Sequence, residues 1–365
     1  MKNKFMLLAV LALGVGLISG CGSKNENNAA SSPSDSASPS ASAASPSASP
    51  AAQEIKELKI SFVPSKDPEQ IITATEPLKD LLKNQLATEG YNVDKVSIDV
   101  GTTYEAVGEA LSAGTTDIGL IPGGTYVLYD DGADVILTAT RAGLSNDSED
   151  PALWNKNKPT EPTEQQATYY RGLIIAGPSA KGQELGAKIN NGEELTWDDL
   201  NSANWAVMSS SSSSGYIYPT LWLQEKYQKG ISDLKNVFTS DSYGSSFARL
   251  AAGQADVLVV YADGRRDYVE KWNTDFGRTA SIWDETNVIG VTDGIYNDTI
   301  SVSKKSKLMT DEFKKALQDA FMAIAQTEEG KQVIAVYSHE GYQPAQSSDY
   351  DAERQAQEFL KSLKQ

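Results

Sequence analysis

Residues Ser209 to Gly215 read Ser-Ser-Ser-Ser-Ser-Ser-Gly. They follow a short apolar run, Trp205-Ala206-Val207-Met208, and precede Tyr216 to Leu223, where apolar residues recur as on an amphipathic helix. A helix start presents unpaired N–H groups and the positive end of its dipole, and serine hydroxyls add uncharged donors beside them. Strand, serine loop and helix start together make a cradle for an oxyanion. No Lys or Arg adjoins the loop in sequence, which suits reversible capture, and Ser212, Ser213 and Ser214 are its central residues. A flexible linker or a simple N-cap is the other reading of a serine run, and its position inside a folded segment argues against the linker.

A second set of residues is marked by a repeated phrase. Tyr104 leads through Ala110-Leu111-Ser112-Ala113-Gly114 to Asp117 and an apolar run up to Pro122, read as a strand ending in Gly123-Gly124-Thr125-Tyr126. Tyr243 leads through Leu250-Ala251-Ala252-Gly253-Gln254 to Asp256 and another apolar run, then Tyr261-Ala262-Asp263-Gly264. Tyrosine and aspartate stand thirteen positions apart in both copies. Turn, helix, Gly, Asp and strand are ordinary α/β punctuation, but equal spacing with tyrosine in the same place points to two lobes of one design facing a cleft.

The elements that must position these residues alternate. Glu57 to Pro64, Val93 to Val100, Thr116 to Pro122 and Tyr169 to Ala176 read as strands, and Ile71 to Leu86 and Ala106 to Ala113 as helices. Ser145 to Gln166 is rich in Asn, Asp, Glu, Pro and Thr and is expected to be a surface excursion. Val288 to Val302 holds two apolar runs around a turn, the second able to return the chain to the first lobe. Helices Asp311 to Gln326 and Tyr350 to Leu363 close the chain. Such alternation predicts α/β lobes with ligand loops at the carboxyl ends of strands.

At 365 residues the chain has room for two domains at about 150 residues each, once non-globular segments are removed. Lys2 and Lys4 precede an apolar run from Phe5 to Ile18 that ends in Leu17-Ile18-Ser19-Gly20-Cys21, a secretory signal pattern shorter than the ~20 residues of a membrane span. Cys21 is the one cysteine, so disulfides are excluded. Gly22 to Gln53 is Ser, Ala, Pro, Asn and Gly almost throughout, the composition of a disordered tether. The net charge of −17 disfavours nucleic acid as a partner and leaves a small anion open, because dipoles in a pocket act locally. His339 is the single histidine, in Tyr337-Ser338-His339-Glu340-Gly341, and is expected on a surface turn. Without a Gly-x-Ser-x-Gly elbow or a His/Cys cluster, a hydrolase or metalloenzyme has no support, and no cofactor is expected.

The Leu17-to-Cys21 segment resembles a bacterial lipoprotein lipobox, which implies cleavage before Cys21 and a lipid on it. With the tether, Phe62-Val63-Pro64, Tyr104 before the Ala-Gly-Asp phrase, Gly-Thr-Tyr, Ser-Ser-Ser-Gly before a helix and Tyr350-Asp351, the chain after Gln53 resembles the phosphate/phosphite/phosphonate-binding proteins of ABC importers. That resemblance implies a type II periplasmic-binding-protein fold: two α/β lobes with a ligand cleft, joined by two hinge-crossing strands. Residues 54–172 and 300–365 would form lobe I and 173–299 lobe II, after a signal peptide at 1–20 and a tether at 21–53. It implies a monomer, lipid-anchored on the outer face of the membrane, that delivers a phosphorus oxyanion to an ABC permease. Ser212, Ser213 and Ser214 would grip the oxyanion with Tyr104, Tyr170 and, less directly, Tyr126. The family's usual histidine falls on Tyr243, and Asp263 and Asp298 would receive an amino substituent. Tyr104 and Tyr126 also fit as core aromatics, and Asp263 and Asp298 as turn caps. A tethered sensor, or a binder of a sulfonate or pyrimidine precursor, would use the same fold.

Overall fold

The computed structural model describes residues 52–362, so the signal segment, Cys21 and most of the tether lie outside the described residues. Among the described residues the strands are β1 (Gln53–Phe62), β2 (Tyr91–Val100), β3 (Ile118–Ile121), β4 (Ala133–Leu144), β5 (Pro162–Ala167), β6 (Tyr169–Ala176), β7 (Asn204–Val207), β8 (Asn236–Thr239), β9 (Val257–Tyr261), β10 (Asn287–Tyr296), β11 (Thr299–Ser303) and β12 (Gly341–Pro344). One sheet runs β12-β4-β11-β3-β1-β2, with β5 on β4; the other runs β10-β6-β9-β7-β8. The chain passes between sheets twice, at Thr168 between β5 and β6 and at Asn297-Asp298 between β10 and β11. The first passage falls a few residues before the expected 172/173 boundary.

The second sheet shows why its strands form. In β6, β7 and β9 the side chains alternate between two apolar layers: Ile174, Trp205, Val257 and Val259 pack on one face, Leu173, Ile175, Ala206, Leu258 and Val260 on the other. A strand covered on both sides needs an unbroken apolar run, and these three have one. Each Val, Leu or Ile side chain so withdrawn from water contributes about 1.5 to 3 kcal/mol.

The repeated phrase folds twice the same way. Thr103 and Ser242 cap helices Tyr104–Ala113 and Tyr243–Ala251 through their hydroxyls. After each helix the aspartate ties the coming strand to its parallel neighbour: Asp117 accepts the Lys59 N–H at 2.9 Å, and Asp256 accepts the Asn204 N–H at 2.7 Å. Both tyrosines therefore sit at the first position of a helix that starts beyond a sheet's carboxyl edge.

Three expectations need correction. Ile71 to Leu86 is two helices, Pro68–Thr75 and Leu78–Thr88, because Pro77 between them breaks the backbone ladder. Ser145 to Gln166 is not wholly a surface excursion: Trp154 on helix Pro151–Lys156 is 1 % exposed, and β5 pairs with β4. Gly123 to Tyr126 begins a helix, Gly123–Leu128, rather than ending a strand.

Candidate functional site

The serine run turns sharply after β7. Ser212 is extended, its Oγ accepts the Gly215 N–H at 3.2 Å, and Ser213–Ile217 forms one wide turn that runs into helix Tyr218–Tyr227. The Ile217 N–H reaches back five residues to the Ser212 carbonyl at 3.1 Å. Gly215 is required by close approach: a Cβ there would lie 2.5 Å from Met208 Cβ. The expected loop at a helix start is thus present, its first turn widened.

This turn meets the other lobe directly. The Gly124 N–H donates to Ser213 Oγ at 3.0 Å, the Thr125 hydroxyl donates to the Ser211 carbonyl at 3.2 Å, and the Ser209 hydroxyl donates to Glu105. Elsewhere the Tyr243 N–H donates to the Ser65 carbonyl at 3.1 Å, and Lys66 Nζ reaches Asp267 at 2.5 Å and the Tyr261 hydroxyl at 2.6 Å. The two lobes are closed on one another.

Between them lies a cavity lined by Tyr104, Tyr170, Ser212, Ser213, Ser214, Tyr243 and Asp298 of the expected set. Lys66, Arg141, Tyr261 and Tyr337 line it too. The centre of a water-sized sphere can reach about 40 Å³ of it. One such sphere needs roughly 10 to 15 Å³, so the space suits a few heavy atoms. The Tyr243 hydroxyl lies 2.9 Å from Ser214 Oγ and 3.3 Å from Ser212 Oγ. Among the described residues the hydroxyls of Tyr104 and Tyr170 have no hydrogen-bond partner. Burial pushes both phenols well above their ordinary range, so they remain neutral donors.

The cavity does hold cations, contrary to the expectation of helix donors alone. Arg141 lies 4.4 Å over the Tyr170 ring and donates to Asp298 Oδ2 at 2.7 Å. That same oxygen lies 3.1 Å from His339 Nε2. Burial pushes the Asp298 carboxyl up, but Arg141 and His339 outweigh it and hold the acid below its usual range. Burial also lowers His339, only partly offset by Asp298, so the imidazole is neutral and its Nε2–H donates to the carboxylate. His339 is 3 % exposed, a buried residue rather than a surface turn, because Asp298 and the Tyr342 hydroxyl satisfy both ring nitrogens.

Two expected residues lie elsewhere. Asp263 does not line this cavity: its carboxylate receives Arg265 Nε at 2.9 Å, Arg265 Nη2 at 2.7 Å and the Thr160 hydroxyl at 3.1 Å. Tyr126 packs edge-on to Tyr350 at 5.3 Å, inside the first lobe. Lys66 and Arg141 could have been found: each is an isolated cation beside an apolar strand, after Phe62-Val63-Pro64 and within Ile136-Leu137-Thr138-Ala139-Thr140-Arg141. Tyr337 gave no signal, since its hydroxyl reaches the Val63 carbonyl from far along the chain.

The family model described as ABC transporter, phosphonate, periplasmic substrate-binding protein matches residues 60–350. A binding-protein component of an ABC phosphonate transporter from Pseudomonas aeruginosa aligns with TM-score 0.61 at 16% identity, over 84% of this chain and 86% of that one. PhnD1 from Prochlorococcus marinus, solved in complex with methylphosphonate, aligns with TM-score 0.61 at 15% identity, over 84% and 98%. The alkanesulfonate-binding protein SsuA from Xanthomonas axonopodis pv. citri, bound to MOPS, aligns with TM-score 0.51 at 12% identity, over 85% and 93%. A search of curated proteins finds no match. The two-lobed architecture is that of type II periplasmic binding proteins, and with most of its length matched by the family model, the chain belongs to the periplasmic substrate-binding proteins of ABC phosphonate transporters.

Proposed function

We propose that this protein captures a small phosphonate, such as methylphosphonate, or an isosteric phosphorus oxyanion, and presents it to an ABC permease without altering it chemically. Lipid on Cys21 and the tether would keep it, as a monomer, at the outer face of the membrane. Lobe I would comprise residues 54–172 and 300–365 and lobe II residues 173–299, closing about the two inter-sheet passages.

The observation that carries this reading is the convergence of three serine hydroxyls at a helix start, from one lobe, on two partnerless neutral phenols, Tyr104 and Tyr170. Five uncharged donors around about 40 Å³ match a tetrahedral oxyanion with a small substituent. The amino substituent expected at Asp263 and Asp298 loses its support. Asp263 is sealed by Arg265, and the Asp298 charge is already met by Arg141, whose guanidinium would repel an ammonium. A sulfonate keeps the same tetrahedral shape, and thermal unfolding separates the two.

Methylphosphonate, phosphite, phosphate, 2-aminoethylphosphonate, sulfate and taurine are each added far above any plausible dissociation constant. A ligand at ~100 times its constant adds about 2.7 kcal/mol of stability. The expected result is a clear rise with methylphosphonate and a smaller one with 2-aminoethylphosphonate. A rise only with sulfate or taurine, or none at all, would sink the ligand class.

A further inference from the structure

Behind the serine turn stands an acid with no partner. Glu353, on helix Asp351–Ser362, is 1 % exposed, and neither carboxyl oxygen is held by a well-aligned hydrogen bond. It reaches this position because the facing helix begins Gly123-Gly124: a Cβ on Gly123 would lie 3.1 Å from Glu353 Cγ, and one on Gly124 would lie 3.0 Å from Ser213 Oγ. Ser213 adjoins it closely enough to oppose the effect of burial on its ionisation.

Among the described residues no basic side chain acts on the Glu353 carboxyl. Helix Gly123–Leu128 faces it with Gly123, the serine turn with Ser213, and helix Tyr218–Tyr227 with Tyr218. The segment Ser347–Tyr350 contributes Tyr350, whose ring lies beside the same Gly123 position. Tyr170 and Tyr218 both feel its charge. Asp298 adds a like charge at longer range, and Asp293 bears on Tyr218. Arg354, next on the same helix, is taken by Asp130 and Asp351. Burial above all, with Asp298 adding, pushes the carboxyl up to about 8.

Ser213 Oγ has two acceptor positions and one proton. The Gly124 N–H occupies one acceptor position. We propose that Glu353, as the neutral acid, donates to the other, so that the Ser213 proton is left to point into the cavity at the bound oxyanion. Glu353 is thus a positioning residue for the ligand site, an inference that rests on the phosphonate reading above. Once it loses its proton to solvent, a carboxylate can only accept. It then draws the Ser213 proton away from the ligand and sets a negative charge behind the oxyanion.

The test is the dissociation constant of methylphosphonate, by titration calorimetry across the neutral to alkaline range, for the wild type, Glu353→Gln, Ser213→Ala and the double variant. The ligand's own ionisation is common to all four, so ratios isolate the protein. The side-chain amide that Glu353→Gln introduces still donates but does not titrate. Wild-type affinity relative to Glu353→Gln is expected to fall about tenfold or more from pH 6.5 to pH 9.5, one pKa unit of coupling being a factor of ten. In the Ser213→Ala background the same ratio is expected to stay flat. A wild-type ratio independent of pH, or a fall that persists without the Ser213 hydroxyl, overturns the proposal while leaving the phosphonate reading intact. Absence of methylphosphonate binding in both wild type and Glu353→Gln at every pH overturns the phosphonate reading itself. As a check that needs no variant, the Glu353 carboxyl followed by carbon NMR should titrate at higher pH in the complex than in the empty protein; an unchanged midpoint also overturns the proposal.

Discussion

Arg141 and Lys66 enter the cavity already paired, with Asp298 and Asp267, so neither brings an uncompensated charge to a ligand. Among the lining hydroxyls, those of Tyr104 and Tyr170 are left without partners and are neutral, and Arg141 keeps one unpartnered N–H at Nε. Tyr104→Phe is therefore expected to weaken methylphosphonate binding by about 1.5 to 3 kcal/mol, the range for a hydrogen bond to a charged group, while leaving the melting temperature of the empty protein unchanged. An equal loss of stability in the empty protein would mean that the hydroxyl serves the fold. Glu353 gives a stability prediction with a definite sign. Its folded-state value of about 8 exceeds the ordinary 4.5, so its contribution is fully present below about pH 4.5 and is lost as pH rises through 8. Glu353→Gln should become steadily more stable than wild type over that window, by up to about 1.4 kcal/mol per pH unit, read from urea unfolding at several pH values. The serines and Tyr104 were legible because their types sit at a helix start. His339 and Asp263 were misplaced because burial and partner choice depend on chain segments far away, Asp298 for one and Arg265 with Thr160 for the other.

The serine turn and helix Gly123–Leu128 form one contact between two lobes. A Cβ on Gly124 would meet Ile217 Cδ1 at 2.4 Å and the Ser211 carbonyl oxygen at 2.8 Å. Gly124→Ala should hold the lobes apart there and weaken methylphosphonate binding at least tenfold, about 1.4 kcal/mol. Because the strain is relieved by opening, unfolding stability should fall by less than the 1 to 3 kcal/mol of an overpacked core. Unchanged affinity in calorimetry would show that these elements need not meet for binding. Most strands could be read because β6, β7 and β9 are buried on both faces along Leu173–Ala176, Trp205–Val207 and Val257–Val260, runs that are apolar without interruption. The 145–166 stretch could not, since its polar composition conceals Trp154, whose indole N–H donates to the Ser148 carbonyl at 2.8 Å beneath its own loop.

Across the whole molecule, a formal charge of −17 coexists with a cavity lined by an arginine and a lysine. Net charge is carried by the exposed surface and screened within about 10 Å, so it gives no guide to a closed pocket. The equal tyrosine-to-aspartate spacing did carry the larger architecture, because each copy builds the same capped helix and aspartate-tied strand. The closed state is held by contacts that include Gly124 to Ser213, Ser65 to Tyr243 and Lys66 to Asp267. Small-angle scattering is expected to show a smaller radius of gyration with methylphosphonate than without it. Whether serine hydroxyls at the helix start hold the oxyanion is decided by calorimetric titration of methylphosphonate into wild type and Ser213→Ala at pH 7. Binding by the wild type and a loss of about 1 to 3 kcal/mol in the variant are expected. Equal affinity in the two would contradict that expectation, leaving the serine turn as a helix cap and nothing more.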